Sequence, residues 1–293
     1  MGDLILKAGY LSLTIISGII LLLGVLLLIY YLYILWLIYH YPKDNPFNYV
    51  KDLKREVNPI KKKRIVFIGN SLTHGNISVN YIKMIKEKLG NSFDYINAGM
   101  NAELAYNILL RLDSIIACKP DFVTILIGTN DASRELSPYQ DKRSMKKLNL
   151  PQNPNKSWFI ENMRKIIKKL IEETDAKIAL CSIPIISEDP SSEIFKQSIE
   201  YSKTIKEIAK NKEITYLPFN EKMIDYLQKN PSNPKYSYEK RLVEIAAVKH
   251  FLLRKSFDEI SEEYGFSLLV DHIHINSEGA KIITNLIIDF ISS

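Results

Sequence analysis

The sequence predicts an α/β protein, a three-layer α/β/α sandwich around a parallel five-stranded sheet, preceded by one transmembrane helix. Three observations carry this expectation. From residue 64 onward, short β-branched or apolar runs alternate with stretches of helical spacing. The short runs are apolar nearly throughout rather than at every second position, which marks strands covered on both faces. The apolar residues are also unevenly shared: positions 1–40 hold 30 of them, while the rest of the chain has an ordinary globular content.

The N-terminal stretch comes first. No Asp, Glu, Lys or Arg occurs from Ala8 to Pro42, and the densest part runs from Ile19 to Ile38. At 1.5 Å per residue that span reaches about 30 Å, the thickness of a hydrocarbon core. Tyr30, Tyr31, Tyr33, Trp36, Tyr39 and Tyr41 crowd its C-terminal end, as in an aromatic belt at a membrane surface. A cleaved signal peptide needs a shorter apolar core and small residues at the cut, and bulky rings stand there instead. The segment therefore reads as a retained anchor, and the domain division expected is an anchor over 1–42, a basic linker over 43–63 and one domain over 64–293. Lys51, Lys54, Arg55, Lys61, Lys62, Lys63 and Arg64 follow the span. The positive-inside rule would keep them in the cytoplasm, but long domains translocate regardless of such charge, so both sides stay open.

The elements follow in order. Ile65–Ile68 is a strand ending at Gly69, and 79–89 is a helix. Phe93–Asn97 is a second strand, 102–117 one helix, and Phe122–Ile127 a third strand ending at Gly128. Residues 133–157, rich in Ser, Pro, Gln, Asn and Lys, read as one long irregular connection. A helix over 159–173, a strand over 177–183 closed by Pro184, a helix over 193–210 and a short strand over 214–217 come next. Residues 238–264 form one helix or a broken pair, and 278–291 the last helix. The mixture of Tyr, Phe, Leu, Lys and Arg in 236–264 fits either a packing helix or a substrate wall.

Composition excludes several classes. The apolar content is too high for disorder. Two cysteines, Cys118 and Cys181, cannot make a disulfide scaffold and read as buried small hydrophobes. The net charge of +6 is modest and its acidic residues are interspersed, so no nucleic-acid partner is expected.

Ligands of open parallel sheets bind beyond the carboxyl ends of the strands. The residues there are Gly69-Asn70-Ser71-Leu72 after the first strand, Asn97-Ala98-Gly99 after the second, Gly128-Thr129-Asn130-Asp131 after the third, and Asp271-His272-Ile273-His274 ahead of the last helix. This set suits acyl transfer. A serine hydroxyl becomes nucleophilic when a histidine takes its proton, and the histidine needs a carboxylate to orient it. A tetrahedral oxyanion needs preorganised N–H donors, which the backbone at Ser71 and Gly99 and the Asn130 amide can supply. Other roles for the same residues remain open at this level. Ser71 could cap the following helix, Gly99 and Asn130 could serve a turn, His272 and His274 could share a metal, and His74 could rival His274 as the base.

The four segments, in this order and spacing, resemble the SGNH hydrolases, or GDSL-type esterase/lipase superfamily, over residues 64–293. The resemblance implies a flavodoxin-like sheet and an ester-cleaving enzyme. It implies Ser71 as nucleophile, His274 as base, Asp271 as its orienter, and Ser71, Gly99 and Asn130 as the oxyanion hole, with no cofactor and no metal. Asn70 stands where the family has aspartate, and Ala102 and Leu104 where small or hydroxylated residues are common. The Gly-x-Ser-x-Gly elbow of the other large serine-esterase class is absent around Ser71. Expected substrates are small-molecule, lipid or acylated-glycan esters, with the membrane a partner through the N-terminal helix. An acyltransferase using the same site and a non-catalytic binding module are the alternatives, and the oligomeric state stays open.

Overall fold

In a computed structural model the described residues are 2–54, 62–136, 145–146 and 148–293. They fall into two units, Met1–His40 and Tyr41–Ser293.

The first unit is a single helix, α1 (Gly2–Tyr39). Its stretch Leu13–Tyr39 has a mean hydropathy of 2.8 and is long and apolar enough to cross a membrane. From Leu13 to Tyr33 its large apolar side chains are exposed all the way round, which water would not favour. Two hydroxyls among its described side chains are satisfied within the helix, Thr14 Oγ1 donating to the Tyr10 carbonyl at 2.7 Å and Ser17 Oγ to the Leu13 carbonyl at 2.6 Å. Such back-bonding removes the need for a water partner.

The second unit carries five strands, β1 (Lys63–Gly69), β2 (Phe93–Gly99), β3 (Phe122–Leu126), β4 (Lys177–Cys181) and β5 (Thr215–Leu217). All are parallel, in the order β2-β1-β3-β4-β5. This is the doubly wound, flavodoxin-like order, whose direction of winding reverses between β1 and β3. Gly69 pairs with Gly99 on one side and Leu126 on the other, so three strands end at the same level.

Helices cover both faces. Strand β1 shows why: Ile65 and Phe67 point into one core with Ile82 and Ile85 of α4 (Tyr81–Leu89), while Val66 and Ile68 point into the other. At the chain end, α13 (Ser277–Ser292) brings Ile283 and Ile287 to the first core. The second core is closed by α8 (Lys156–Glu173) and α9 (Glu193–Asn211), through residues such as Ile166 and Ile205. Caps set the helix starts: Asn155 accepts from Trp158 N–H, and Ser192 from Phe195 N–H. Cys118 and Cys181 are buried free thiols.

Several elements differ from expectation. The segment 43–63, expected as linker, contains a helix, α2 (Pro46–Leu53), started by Asn45 as cap and Pro46 in its first turn. It packs against the edge strand β2, where Asn97 N–H donates to the Asp44 carbonyl at 2.9 Å and Tyr49 Oη to Asp94 Oδ2 at 2.7 Å. An open sheet edge is thereby covered. Residues 55–61 of that segment lie outside the described residues.

The single helix expected over 102–117 is two short ones, α5 (Ala105–Leu110) and α6 (Leu112–Ile116), broken at Arg111, whose side chain turns inward to an ion pair. Before them, Ala102 stands in the left-handed region at φ 65° and belongs to a turn. Asn130 lies in the first turn of a helix, α7 (Thr129–Glu135), so the connection expected over 133–157 begins and ends in helix. Its residues 137–144 and 147 lie outside the described residues.

The sequence reading also passed over α10 (Phe219–Lys229), whose Phe219 and Met223 are buried one helical turn apart. The stretch 238–264 is a broken pair, α11 (Lys240–Phe251) and α12 (Phe257–Tyr264), the second opened by a Ser256/Glu259 capping box.

Candidate active site

The site lies where the sheet reverses its winding, beyond the C-terminal ends of β1, β2 and β3. Strand β1 ends at Gly69, where any side chain would collide, its Cβ falling 2.7 Å from the Leu126 carbonyl oxygen of β3. The chain then turns into a one-turn helix, α3 (Ser71–His74), stopped by Gly75 at φ 76°. Asn70, not Ser71, is the cap: its Oδ1 accepts from Leu72 N–H at 3.2 Å. Ser71 is the first helical residue, leaving its hydroxyl for other work.

That hydroxyl meets His274. Ser71 Oγ lies 2.9 Å from His274 Nε2, and His274 Nδ1 lies 2.7 Å from Asp271 Oδ2. A carboxylate only accepts, so Nδ1 carries the ring proton and the Nε2 lone pair faces the serine O–H. Asp271 Oδ1 accepts from the backbone N–H of Ile273 and His274 at 3.1 and 2.9 Å. All three side chains are buried, so the chain of hydrogen bonds acts in a low dielectric.

The donors expected for an oxyanion behave differently from one another. Ser71 N–H is in the first turn of α3, where a backbone amide has no helical acceptor. Asn130 Nδ2 donates to the Glu103 carbonyl at 3.0 Å, which fixes the amide and leaves its second proton available. Gly99 departs from expectation: its N–H donates to Asn97 Oδ1 at 2.9 Å and is already engaged. The need for glycine here is steric, because a Cβ would fall 2.2 Å from His74 N. Strand β2 thus touches α3 backbone to backbone, which holds Ser71 in place.

His274, rather than His74 or His272, meets the serine hydroxyl. His74 ends α3 and is buried, with its carbonyl accepting from Asn97 Nδ2 at 3.3 Å, while the serine hydroxyl is met by His274. His272 stands at φ 74°, which breaks the alternation that would put it on the same face as His274. Its Nε2 lies 3.0 Å from the Tyr236 carbonyl and its Nδ1 3.2 Å from Ser187 Oγ. Burial pushes its pKa down, favouring the neutral ring.

Four buried charged residues support the site; Glu188, Glu103 and Arg111 carried no sequence expectation, and Asp131 appeared only as part of the Gly-x-Asn-Asp run. Glu188 is buried after β4 and accepts from the backbone N–H of Ser267, Leu268 and Leu269 at 2.7–2.9 Å, clamping the approach to Asp271. Glu103 and Arg111 form a buried pair, with Arg111 Nη2 2.7 Å from Glu103 Oε2 and 2.6 Å from the Ala98 carbonyl. That pair braces the loop between Gly99 and the Asn130 contact. Burial pushes the Glu103 carboxyl up, and the Arg111 charge opposes it. Asp131 is buried and accepts from Ala105 N–H at 3.3 Å, and desolvation pushes its pKa up to about 7. Only the Gly-x-Asn-Asp run, which contains Asp131, hinted at any of these roles; the Glu188 contact spans about 80 positions and has no local signal.

A parallel sheet of this order, with a Ser–His–Asp chain at its switch point, defines the serine-hydrolase class of doubly wound proteins. The chain belongs to the GDSL-like Lipase/Acylhydrolase family, whose model matches residues 67–282, and it is an ester-cleaving hydrolase. Solved structures share the fold. An acetyl xylan esterase, AlAXEase, is 19% identical with a TM-score of 0.57, the match covering 78% of this chain and 99% of that one. An acetylxylan esterase from Geobacillus stearothermophilus is 16% identical with a TM-score of 0.55, covering 79% and 94%. An α/β hydrolase from the metagenome of Lake Arreo, Spain, is 15% identical with a TM-score of 0.56, covering 78% and 94%. No curated protein matches the chain.

Proposed function

We propose that the chain is a membrane-anchored serine ester hydrolase, with an anchor over 1–42, a connecting segment over 43–63 and a catalytic domain over 64–293. It cleaves carboxylic esters of lipids or acylated carbohydrates through an acyl-enzyme at Ser71. The observation that carries this reading is the contact of Ser71 Oγ with His274 Nε2 at 2.9 Å, backed by Asp271.

In the first half-reaction Ser71 Oγ attacks the ester carbonyl carbon while its proton passes to His274 Nε2. Asp271 holds the ring and stabilises the imidazolium that forms. The oxyanion takes hydrogen bonds from Ser71 N–H and Asn130 Nδ2. Gly99 N–H joins them if Asn97 releases it. Collapse breaks the ester C–O bond, and His274 returns the proton to the leaving alcohol. Water then attacks the acyl-serine by the same route, releasing the acid and restoring Ser71.

The substrate range rests on two supports: structural neighbours that are acetyl xylan esterases, and an N-terminal helix that suits a bilayer. Labelling by a fluorophosphonate probe tests the mechanism. Wild type should react and Ser71→Ala should not; equal labelling would end the proposal. Comparing acetyl with long-chain esters separates carbohydrate deacylation from lipid cleavage, and alkaline extraction of membranes tests the anchor.

A further inference from the structure

Helix α11 is apolar on two sides. Leu242 and Ala246 face inward at 6% and 2% exposure. On the other side, Arg241, Ile245, Val248 and Leu252 recur at helical spacing along one stripe. Ile245, Val248 and Leu252 are 38, 53 and 48% exposed, and Leu253 just beyond them is 59% exposed. A surface helix normally turns polar residues outward, so a contiguous outward apolar stripe marks something that covers it.

The charge around the stripe indicates what that is. Residues 235–255 contain Lys235, Lys240, Arg241, Lys249, Arg254 and Lys255 against Glu239 and Glu244, a net charge of +4. Arg241 and Arg254 are exposed near its two ends, while Glu244 is the acidic group on the same side. Lys249 and Lys255 are tied to Glu263, which holds them beside the helix. An apolar stripe edged by cations matches a surface that is anionic outside and apolar just beneath, which is the headgroup region of a membrane leaflet containing acidic lipids. A second protein or a second copy would supply a polar rim of mixed charge instead.

The stripe also borders a cleft. A cavity of about 300 Å³ is lined by residues that include Tyr236, Glu239, Arg241, Ile245, Lys249 and Tyr264, sharing Arg241 and Ile245 with the stripe. The Tyr236 carbonyl in turn holds His272, the neighbour of the Asp271–His274 pair. The surface and the catalytic loop are therefore joined through two residues.

We infer that the outward face of α11 and the residues just after it, from Arg241 to Arg254, is a docking face for an anionic lipid bilayer. It seats the catalytic domain on the membrane surface. The inference deepens the membrane reading above: the anchor would keep the domain near the bilayer, and this face would orient it.

The test uses the full chain in nanodiscs of phosphatidylcholine alone or phosphatidylcholine mixed with phosphatidylglycerol. Backbone hydrogen exchange across 240–255 should slow on the order of 10-fold in the mixed discs, because basic residues gain attraction near an acidic surface. The double variant V248D/L252D, whose sites are solvent-exposed, should lose that protection and still hydrolyse p-nitrophenyl acetate at the wild-type rate. Equal exchange in the two lipids overturns the inference. So does protection that needs two copies per disc, which would assign the face to self-association. Failure of wild type to hydrolyse p-nitrophenyl acetate would strike the esterase reading and leave the exchange result standing. Alkaline extraction reads insertion of the N-terminal helix separately.

Discussion

Asp271 grips His274 at two points: Oδ2 lies 2.7 Å from ring Nδ1, and Oδ1 accepts the His274 backbone N–H at 2.9 Å. One carboxylate thus sets both the ring's tautomer and the path of the loop that carries it. The three-residue spacing makes this local, because a short turn brings the side chain of Asp271 back onto the amides that follow.

Asp271→Asn keeps the backbone contacts but allows the wrong ring tautomer. The expected result is a fall in kcat of about 10⁴-fold with little change in melting temperature, by analogy with other serine triads. Steady-state kinetics and a thermal melt check it; a fall in stability of similar weight would move Asp271 from the mechanism to the scaffold.

Gly99→Ala puts a Cβ against the backbone of α3, with His74 N only 2.2 Å away. Backbone cannot yield as a side-chain tip can, so the variant should lose about 1–3 kcal/mol of stability, as overpacked sites do. Activity should fall further than stability alone explains, because Ser71 rides on the displaced turn. Denaturant melts and esterase rates on the folded fraction measure the two effects.

Asp131 is an acid whose folded pKa, about 7, lies above its ordinary 3.8. Between those values the folded state binds more protons than the unfolded one, so stability falls as pH rises. The contribution is whole below about pH 4 and lost as pH passes through about 7. Asp131→Asn keeps an acceptor for Ala105 N–H and does not titrate. Its unfolding free energy should decline less than wild type from pH 4 to pH 7.5, measured by urea melts at each pH; parallel curves would count against it.

Glu188→Gln removes one of the two carboxylate oxygens that serve three backbone amides. Leaving a buried donor unpaired costs about 1–3 kcal/mol. The melting temperature should drop, and exchange of the Leu268 and Leu269 amides should accelerate ahead of global unfolding. Uniform acceleration across the sheet would show that the clamp is not local.

The features that sequence made legible are those whose physics is local. Twenty charge-free positions, apolar but for Gly24, identify a helix suited to a bilayer whatever follows it. Almost uniformly apolar runs such as Phe122–Leu126 mark strands buried on both faces. Gly-x-Asn-Asp and Asp-x-x-His can be found because each sits at one turn. The helix over 46–53 is obscured by its eight-residue length and by the prolines at 42 and 46, and the break at Arg111 by an apolar pattern that continues through it.

Tertiary structure decided what spans long distances. Ser71 and His274 are 203 positions apart, and nothing local says which histidine reaches the hydroxyl. His74 is three residues from Ser71, yet the fold brings His274 to it, because β1 and the last loop end at the same edge. Glu188, Arg111 and the prior engagement of Gly99 N–H by Asn97 were decided in the same way. Such contacts depend on where packed layers place backbone amides, and only the closed sheet with both cores filled fixes those positions.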